Sequence, residues 1–294
     1  MAELKQLIVA EAGRLDKVLA DGLELSRREA LRLLENGLVS LNGHQLSFKD
    51  KGRTLEIGWA LEVEPFTHLN KILPQAELKL PILYEGQGFV TVDKPAEMPV
   101  RPKHAGEGGT VLNALVARFP ELQGVGEGGL RSGVVHRLDT DTSGALAVAI
   151  EQQAWVKLRN AFSTHRTTKI YRAIVVGQPE AKGRLELPLT VSQHSPAKVS
   201  VTEGGWPCNL SWQVLERLDG HSLIDVQLGT GFLHQIRAIF AHLGHPVLGD
   251  ALYGEASPLT KRQMLHAGRL EVLGVMAESP LPRDMAGVLR GLRS

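Results

Sequence analysis

The chain has 294 residues, of which 43% are hydrophobic and 22% charged, close to the composition of globular proteins. No apolar run approaches the roughly 20 residues that a membrane helix needs, the first residues carry no secretory pattern, and the single cysteine, Cys208, excludes an internal disulfide or a thiolate metal cluster. We therefore expect a cytoplasmic protein without a membrane partner, and the net charge of +1 neither favours nor excludes a nucleic-acid partner.

The first sixty residues predict a small unit of two helices followed by a hairpin. Leucine and valine recur with helical spacing over 15–22. Ser26, with Glu29 three positions later, predicts a capping box at the start of a second helix, which Gly37 ends. Residues 38–46 read as two short strands joined by an Asn-Gly turn.

This unit resembles the small RNA-binding domain named after ribosomal small-subunit protein four. The resemblance rests on "RLDKVLA", "LSRREALRLLENGLVSLNG" and "TLEIGWALEVE", and we assign residues 12–66 to the domain. It implies that the second helix and the flanking basic residues contact structured RNA, whereas an ordinary surface helix with arginines for solubility is the alternative. The residues expected to bind RNA are Arg14, Lys17, Arg27, Arg28 and Arg32.

Residues 67–80 are expected to be a connector, and 81–294 a second, larger domain. It begins with two short strands around a glycine turn in "ILYEGQGFVTVDKP", and Thr110 is expected to cap the helix that follows. "GVVHRL" and "GALAVAI" predict strands on either side of the polar loop "HRLDTDTSG", residues 136–144, with the second strand buried on both faces.

The rest of the chain continues mainly with strands. A helix is predicted over 152–162, followed by the strand-like segments "IYRAIVVG", "AKVSVT", "LSWQVLERL" and "HSLIDVQLG". "FLHQIRAIFAHLGH" predicts a helix. Its inward-facing residues are expected to be Leu233, Ile236, Phe240 and Leu243. Strands in series with interspersed helices predict an α+β domain around a mixed, largely antiparallel sheet.

The polar loop matches part of a calcium-binding template. Asp139, Asp141, Ser143 and Gly144 stand at the first, third, fifth and sixth positions of that template. The template also needs a glutamate at its twelfth position, where this chain has Ile150. We therefore expect no metal here.

Asp139 is the residue of the loop that a turn explains least well. It would end an apolar strand and be partly buried, so its carboxylate needs a cationic partner to stay charged. Arg237 is the expected partner, because it faces the same way as His234 one helical turn earlier. Capping of a tight turn is the alternative, and it suits Asp141 better.

A second resemblance covers about Pro81 to Leu292. "VVHRLDTDTSGALAVA" is similar to the catalytic motif of RluA-type pseudouridine synthases. "KIYRAIVVG", "TGFLHQIRAIFAHLGHPVLGDALYG" and "LHAGRL" resemble further motifs of that family in the same order, as do "VDKPAEMPV" and "PLPRDMAGVL". The resemblance implies the pseudouridine synthase fold and an enzyme that modifies RNA.

The resemblance also implies roles for individual residues. Asp139 becomes the catalytic aspartate, and Arg237 holds it ionised. Tyr171 would stack on the target base, its hydroxyl aiding proton loss from carbon five. Arg137 would fill the space that the flipped uridine leaves, and Ile236 would pack against the base. The other residues expected to contact the substrate are His136, Thr142 and His234.

The chemistry suits these residue types. Uridine isomerisation breaks the bond between the sugar and the base nitrogen and rejoins the base through carbon five. A carboxylate either attacks the anomeric carbon or removes a neighbouring ribose proton, and the sequence leaves both open. No redox step occurs, so we expect no cofactor. The pocket must exclude water, and the base must be flipped out of its stack.

The expected partner is RNA. Ribosomal RNA is preferred, because family members with the N-terminal domain often modify large-subunit ribosomal RNA, and transfer RNA is the other option. We expect a monomer, with the basic stretch of 151–172 as a phosphate-contacting surface. A non-catalytic RNA-binding or assembly factor on the same fold is the alternative. Departures from the family pattern at Phe232, Glu97 and Arg101 leave the modified uridine undefined.

Overall fold

The computed structural model describes residues 4–64, 71–104, 106–192 and 196–293. They divide into two compact units: a smaller one of residues up to Ile72 with His104 and Gly106, and a larger one that comprises 73–103 and 107 onward. Among the residues described, none of the helices is long and apolar enough to cross a bilayer.

The smaller unit packs two helices against a four-stranded antiparallel sheet. Its elements are β1 (Lys5–Ile8), β2 (Gly13–Arg14), α1 (Leu15–Gly22), α2 (Arg27–Glu35), β3 (Val39–Leu41), β4 (His44–Leu46), β5 (Thr54–Leu55) and β6 (Ala60–Val63). The sheet has the order β1-β6-β3-β4, and β2 pairs separately with β5. Leu15, Leu19, Leu33 and Leu34 from the helices and Leu61 from the sheet are buried in one apolar cluster.

The local signals of this unit are confirmed. Ser26 Oγ accepts the amide of Glu29 at 3.3 Å, and the Glu29 carboxylate accepts the amide of Ser26 at 2.8 Å. Gly37 follows α2 with φ +66°, the left-handed conformation that ends many helices. Asn42 and Gly43 both have positive φ, as a two-residue hairpin turn requires.

The larger unit is built on one ten-stranded sheet in the described part of the chain. Its elements are β7 (Ile82–Gly86), β8 (Phe89–Lys94), α3 (Val111–Arg118), β9 (Ser143–Ala149), α4 (Gln152–Ser163), β10 (Thr168–Val176), β11 (Lys182–Val191), β12 (Val199–Val201), β13 (Trp206–Leu218), β14 (His221–Leu228), α5 (Gln235–His242), β15 (Leu265–Val272), β16 (Val275–Glu278) and α6 (Arg283–Leu292). The strand order is β12-β11-β13-β14-β10-β15-β9-β8-β7, with β16 paired to β15. Every pair is antiparallel except β9 with β15, so the predicted α+β class with a mixed, largely antiparallel sheet is confirmed.

Strand β9 begins at the end of the polar loop and lies between β15 and β8 in the sheet. All seven of its residues are buried, as the sequence predicted. It pairs antiparallel with β8 along its whole length and in parallel with β15 at its first two residues, Ser143 and Gly144. Gly144 has φ +118°, and a Cβ atom there would lie 2.2 Å from the carbonyl oxygen of Ala267. The loop therefore ends at a residue that must be glycine.

One predicted strand was wrong, and one strand was missed. "GVVHRL" is not a strand: Val134 makes one isolated bridge to Val148, and the apolar side chains of this segment are buried by loop packing. Asp139 therefore lies in a loop and not at a strand end. Strand β11 was missed, and it contains Pro188, a residue that is uncommon in a strand interior. In the structure Pro188 faces Pro207 of β13, so the two residues without an amide proton share one register position.

The predicted helix in "FLHQIRAIFAHLGH" begins later than its apolar pattern suggested. Helix α5 starts at Gln235, and His234 before it has φ +51°. Ile236 and Phe240 are buried as predicted, whereas Leu233 precedes the helix and is half-buried. The left-handed residue turns the chain sharply, which is why Leu233 does not continue the helical stripe.

We expect Gly144→Ala to lower the stability of the larger unit by roughly 3 kcal/mol or more, because the new methyl group overlaps backbone atoms of β15. The control is Gly274→Ala, which also has a positive φ, +78°, but no atom within 4 Å of the new Cβ, and should cost only about 1–2 kcal/mol. Thermal unfolding followed by calorimetry measures both. Equal shifts in melting temperature for the two variants would contradict the close-approach argument.

Candidate active site

The central contact of the site is an arginine shared by two aspartates. Arg237 Nη1 donates to Asp139 Oδ2 at 2.9 Å. The other edge of the same guanidinium donates to Asp250, with Nε at 2.6 Å and Nη2 at 2.9 Å. The Asp250 side chain is fully buried, and that of Asp139 is 18% exposed. Burial alone would lower the pKa of Arg237, but the two carboxylates raise it above its usual value, so the guanidinium stays charged.

A histidine and a tyrosine complete the surroundings of Asp139. His234 Nε2 lies 3.7 Å from Asp139 Oδ2, the oxygen that Arg237 also contacts. His234 Nδ1 is 3.0 Å from the Tyr253 hydroxyl, which accepts the amide of Val199 at 2.7 Å. Burial lowers the pKa of His234 although the charge of Asp139 opposes this, so the ring is neutral at physiological pH.

Asp139 and Tyr171 line one cleft with about 60 Å³ of space. The Tyr171 side chain comes from β10 and is largely buried. Burial and the negative charge of Asp139 raise the pKa of Tyr171 well above its usual value, so its hydroxyl is neutral. Leu228 and Leu265 line the cleft as well. The carboxyl group of Asp139, a neutral phenol and these leucines therefore line the same cleft.

Most of the predicted substrate contacts lie around this cleft. Arg137, Thr142, His234 and Ile236 line it together with Asp139. The expected ion pair between Asp139 and Arg237 is present. The turn that carries Asp139 is closed by its backbone, since the Thr142 amide donates to the Asp139 carbonyl at 3.1 Å.

His136 does not line the cleft that contains Asp139. Its Nε2 accepts the amide of Ala147 on β9 at 2.9 Å, and its ring stacks on Phe162 with centroids 4.3 Å apart. Burial, with a smaller effect of the Lys169 charge, lowers the pKa of His136 to about 3. The ring therefore fastens the loop to the sheet in its neutral form.

Two buried basic side chains hold the backbone of the loop. The Lys94 side chain is fully buried, and its Nζ lies 2.8 Å from each of the carbonyl oxygens of Pro95, Met98 and Thr140. Arg262 Nη1 donates to the carbonyl of Asp141 at 2.9 Å. Burial lowers the pKa of Lys94 to about 7, with Asp141 and Asp139 opposing the shift. The carbonyls of Thr140 and Asp141, in the turn, thus both accept hydrogen bonds from buried basic side chains.

In the smaller unit, one buried carboxylate organises two of the predicted RNA-binding arginines. Asp16, with a side chain 3% exposed, accepts from Arg14 at 3.2 Å and from Arg27 at 2.9 Å. Burial raises the pKa of Asp16, but the two arginines more than offset this and lower it. Both arginine side chains stay more than half exposed, Lys17 is exposed and Arg32 half-buried. The Arg28 side chain lies outside the described part of the structure.

Several residues of the site were missed by the sequence predictions. Asp250 and Tyr253 lie in "GDALYG", and Lys94 in "VDKPAEMPV", segments quoted for their resemblance but without a role for those side chains. One signal could have predicted a further partner of Arg237. A guanidinium has donors on two edges, so a buried arginine needs a second acceptor besides Asp139. Within the described ranges, no group of three or more histidine, cysteine, aspartate or glutamate residues suits a metal ion.

Comparisons with known proteins identify the family of this chain. The family model described as RNA pseudouridylate synthase matches residues 88–242, and the S4 domain model matches 13–47. An RNA pseudouridine synthase of Synechocystis is 37% identical over 95% of this chain and 89% of its own length. Ribosomal large subunit pseudouridine synthase D of Xanthomonas campestris is 33% identical over 99% of this chain and 93% of its own. The solved structure of human RNA pseudouridylate synthase domain containing 1 is 26% identical, with a TM-score of 0.56, over 75% of this chain and 97% of that one.

The chain therefore belongs to the RNA pseudouridylate synthase family. It is an RNA pseudouridine synthase that carries an S4 domain near its N-terminal end, as both resemblances implied.

Replacing the buried partner of Arg237 should impair the reaction without impairing RNA binding. In Asp250→Asn, the amide oxygen replaces a carboxylate that accepts two donors of Arg237, so the guanidinium loses its fixed orientation. We expect kcat to fall about 10- to 100-fold, the range typical for loss of a partner that orients an active-site group. Asp225→Asn is the matched control, since Asp225 also accepts two donors from one arginine, Arg172, outside the cleft. A normal kcat for Asp250→Asn would contradict this role.

The neutral state of His136 predicts a pH dependence of stability. Its folded pKa of about 3 lies below the usual 6.5, so between these values the unfolded chain binds a proton that the folded chain does not. This ring should lower the free energy of unfolding by about 1.4 kcal/mol for each pH unit of acidification in that window. His136→Gln should reduce the slope of stability against pH, measured by denaturant unfolding from pH 4 to 7. Identical slopes in the variant and the wild type would contradict the assignment.

Proposed function

We propose that this enzyme isomerises specific uridines of large-subunit ribosomal RNA in the cytoplasm, with Asp139 as the catalytic carboxylate. The name of the Xanthomonas relative supports the choice of ribosomal RNA. The observation that carries the role of Asp139 is its contact with the doubly anchored Arg237, inside the cleft that Tyr171 also lines.

The proposed reaction begins at the ribose of the flipped nucleotide. Arg237 and His234 both approach Asp139 Oδ2, and we assign Oδ1 to the substrate. The carboxylate stabilises or traps the electron-poor anomeric carbon as the bond from C1′ to N1 breaks. The uracil then turns, and a bond forms from C1′ to C5. The proton that leaves C5 is matched by the proton that N1 gains, so the product is an isomer.

Arg237 pairs with the carboxylate of Asp139 in a cleft that Leu228, Ile236 and Leu265 also line. Burying a carboxylate away from water is costly unless a cation is hydrogen-bonded to it, and Arg237 is that cation. Asp250 holds two of the guanidinium nitrogens, so the third is aimed at Asp139 before the substrate arrives. This preorganisation avoids reorienting a charged group during the reaction.

Tyr171 contributes to the reaction as a neutral phenol. Because its pKa is raised, it is not a phenolate at physiological pH. Its ring offers a flat surface for the freed uracil, and its hydroxyl can relay the C5 proton. Tyr171 and Ile236 line the same cleft, so the base lies between an aromatic and an aliphatic side chain.

The flipped base enters the cleft beside Arg137. Arg137 is an exposed lining residue, and we assign it to the gap in the RNA stack once the uridine has flipped. Flipping costs a few kcal/mol, and phosphate contacts of basic residues offset it.

Asp139→Asn is the decisive test of this function. The asparagine amide oxygen can still accept from Arg237, and Arg237 keeps Asp250, so the fold should persist. We expect at least a 10³-fold loss of pseudouridine formation and less than a 3-fold change in RNA affinity, in line with losses on removing a catalytic group. The assay is release of tritium from RNA made with [5-³H]uridine, because the hydrogen at C5 is lost.

The substrate is identified by pseudouridine mapping of ribosomal and transfer RNA, with and without the enzyme. Asp225→Asn serves as a control for the loss of one surface carboxylate. Full activity of Asp139→Asn would remove this residue from the chemistry. Unchanged pseudouridine in every RNA would favour the non-catalytic RNA-binding alternative.

A further inference from the structure

A second, larger cavity adjoins the cleft that contains Asp139. It has a volume of about 350 Å³, and all of its lining residues belong to the larger unit. Arg137 and Leu138 line both spaces, so the two share a wall immediately before the catalytic residue in the chain. When one nucleotide of a strand occupies the cleft at Asp139, this cavity therefore lies beside the next nucleotide.

The lining of this cavity is strongly cationic. It contains one carboxylate, that of Glu127, among the described lining residues. Its cations are Arg101, Lys103, Arg131, Arg137 and Arg159. Arg131 pairs with Glu127 at 2.9 Å but remains 52% exposed, and Arg159 is exposed on α4 with one contact to a backbone carbonyl. Such a cluster attracts an anion with several oxygen acceptors, and a phosphate has this chemistry.

The same cavity has an apolar wall. Val100, Val135 and Leu138 are buried residues that line it, together with Pro99 and Val134. Guanidinium groups beside an apolar surface fit a ligand with an anionic end and a flat, weakly polar end. The volume lies within the range of roughly 300–1,000 Å³ that binding sites for small organic ligands occupy.

We propose that this cavity binds the nucleotide that adjoins the target uridine in the RNA strand. Its phosphate lies among the guanidinium groups, and its base lies against the apolar wall. The assignment rests on the proposed function, because it needs a uridine at Asp139. It goes further by giving the enzyme a second nucleotide subsite, with Arg137 between the two.

Neutralising two of these arginines should reduce the electrostatic part of RNA binding. We choose Arg131→Gln with Arg159→Gln and measure affinity for a large-subunit ribosomal RNA transcript from 50 to 300 mM salt. The proposal places one phosphate among these groups, so its loss should make the slope of log affinity against log salt shallower by about 0.7, the contribution of one phosphate contact to single-stranded RNA. We also expect KM in the tritium-release assay to rise about 10-fold or more with kcat within 2-fold.

Arg118→Gln is a closely matched control. Arg118 is 55% exposed and pairs with the exposed Glu85 at 2.7 Å, as Arg131 pairs with Glu127, but it does not line the cavity. This control should keep the salt slope and KM of the wild type. If the double variant has the same slope and KM as Arg118→Gln, the cavity does not bind RNA. If the cavity binds an acidic peptide instead of RNA, the double variant should also behave like Arg118→Gln in these RNA assays, and the proposal would be overturned.

A second experiment locates the bound phosphate. After the modified uridine is mapped, a short RNA carrying it is made with one neutral methylphosphonate next to the target, on either side in turn. If the cavity binds that phosphate, the neutral linkage and the arginine variants should weaken binding non-additively, because each removes the same contact. Additive losses for both linkages would contradict the proposal.

The outcomes separate this proposal from the proposed function. Wild-type enzyme that forms pseudouridine while the arginine variants behave like the control overturns the second subsite alone. A changed salt slope in an enzyme that forms no pseudouridine supports the cavity as an RNA site and overturns the catalytic assignment.

Discussion

The larger unit depends on one buried guanidinium that is shared by two carboxylates. Two carboxylates share one guanidinium, and both edges of the guanidinium and both oxygens of Asp250 are hydrogen-bonded, which offsets the cost of burying these charges. Asp250 is buried completely and fixes the arginine, whereas Asp139 stays partly exposed to the cleft. The unequal burial of two identical side chains is consistent with a structural role for Asp250 and the proposed chemical role for Asp139.

The loop that carries Asp139 is held by its backbone and not by its polar side chains. Lys94 donates to the carbonyl of Thr140 and Arg262 to that of Asp141, the two central residues of the turn, and His136 accepts an amide of β9. None of these contacts uses the Asp139 carboxylate. The backbone of the loop is therefore held from the sheet side, and the side chain of Asp139 is left for the contact with Arg237.

Local features were predictable from the sequence, and long-range ones were not. The capping box at Ser26 and the hairpin turn depend on neighbouring residues, so their signals are complete within a few positions. The pair of Asp139 and Arg237 was predicted because burial of a carboxylate demands a cation. The second acceptor, Asp250, was missed, since nothing in the spacing identifies which aspartate completes the arginine. The apolar run "GVVHRL" misled, because burial by loop packing gives the same composition as a strand.

The parallel pairing of β9 with β15 has a consequence for biosynthesis. It joins the loop of Asp139 to a strand whose first residue, Leu265, is made more than one hundred residues later. Arg262, which supports the same loop, takes its own partner, Asp284, from the last helix. The loop of Asp139 therefore has all of these contacts only after β15 and α6 have been synthesised.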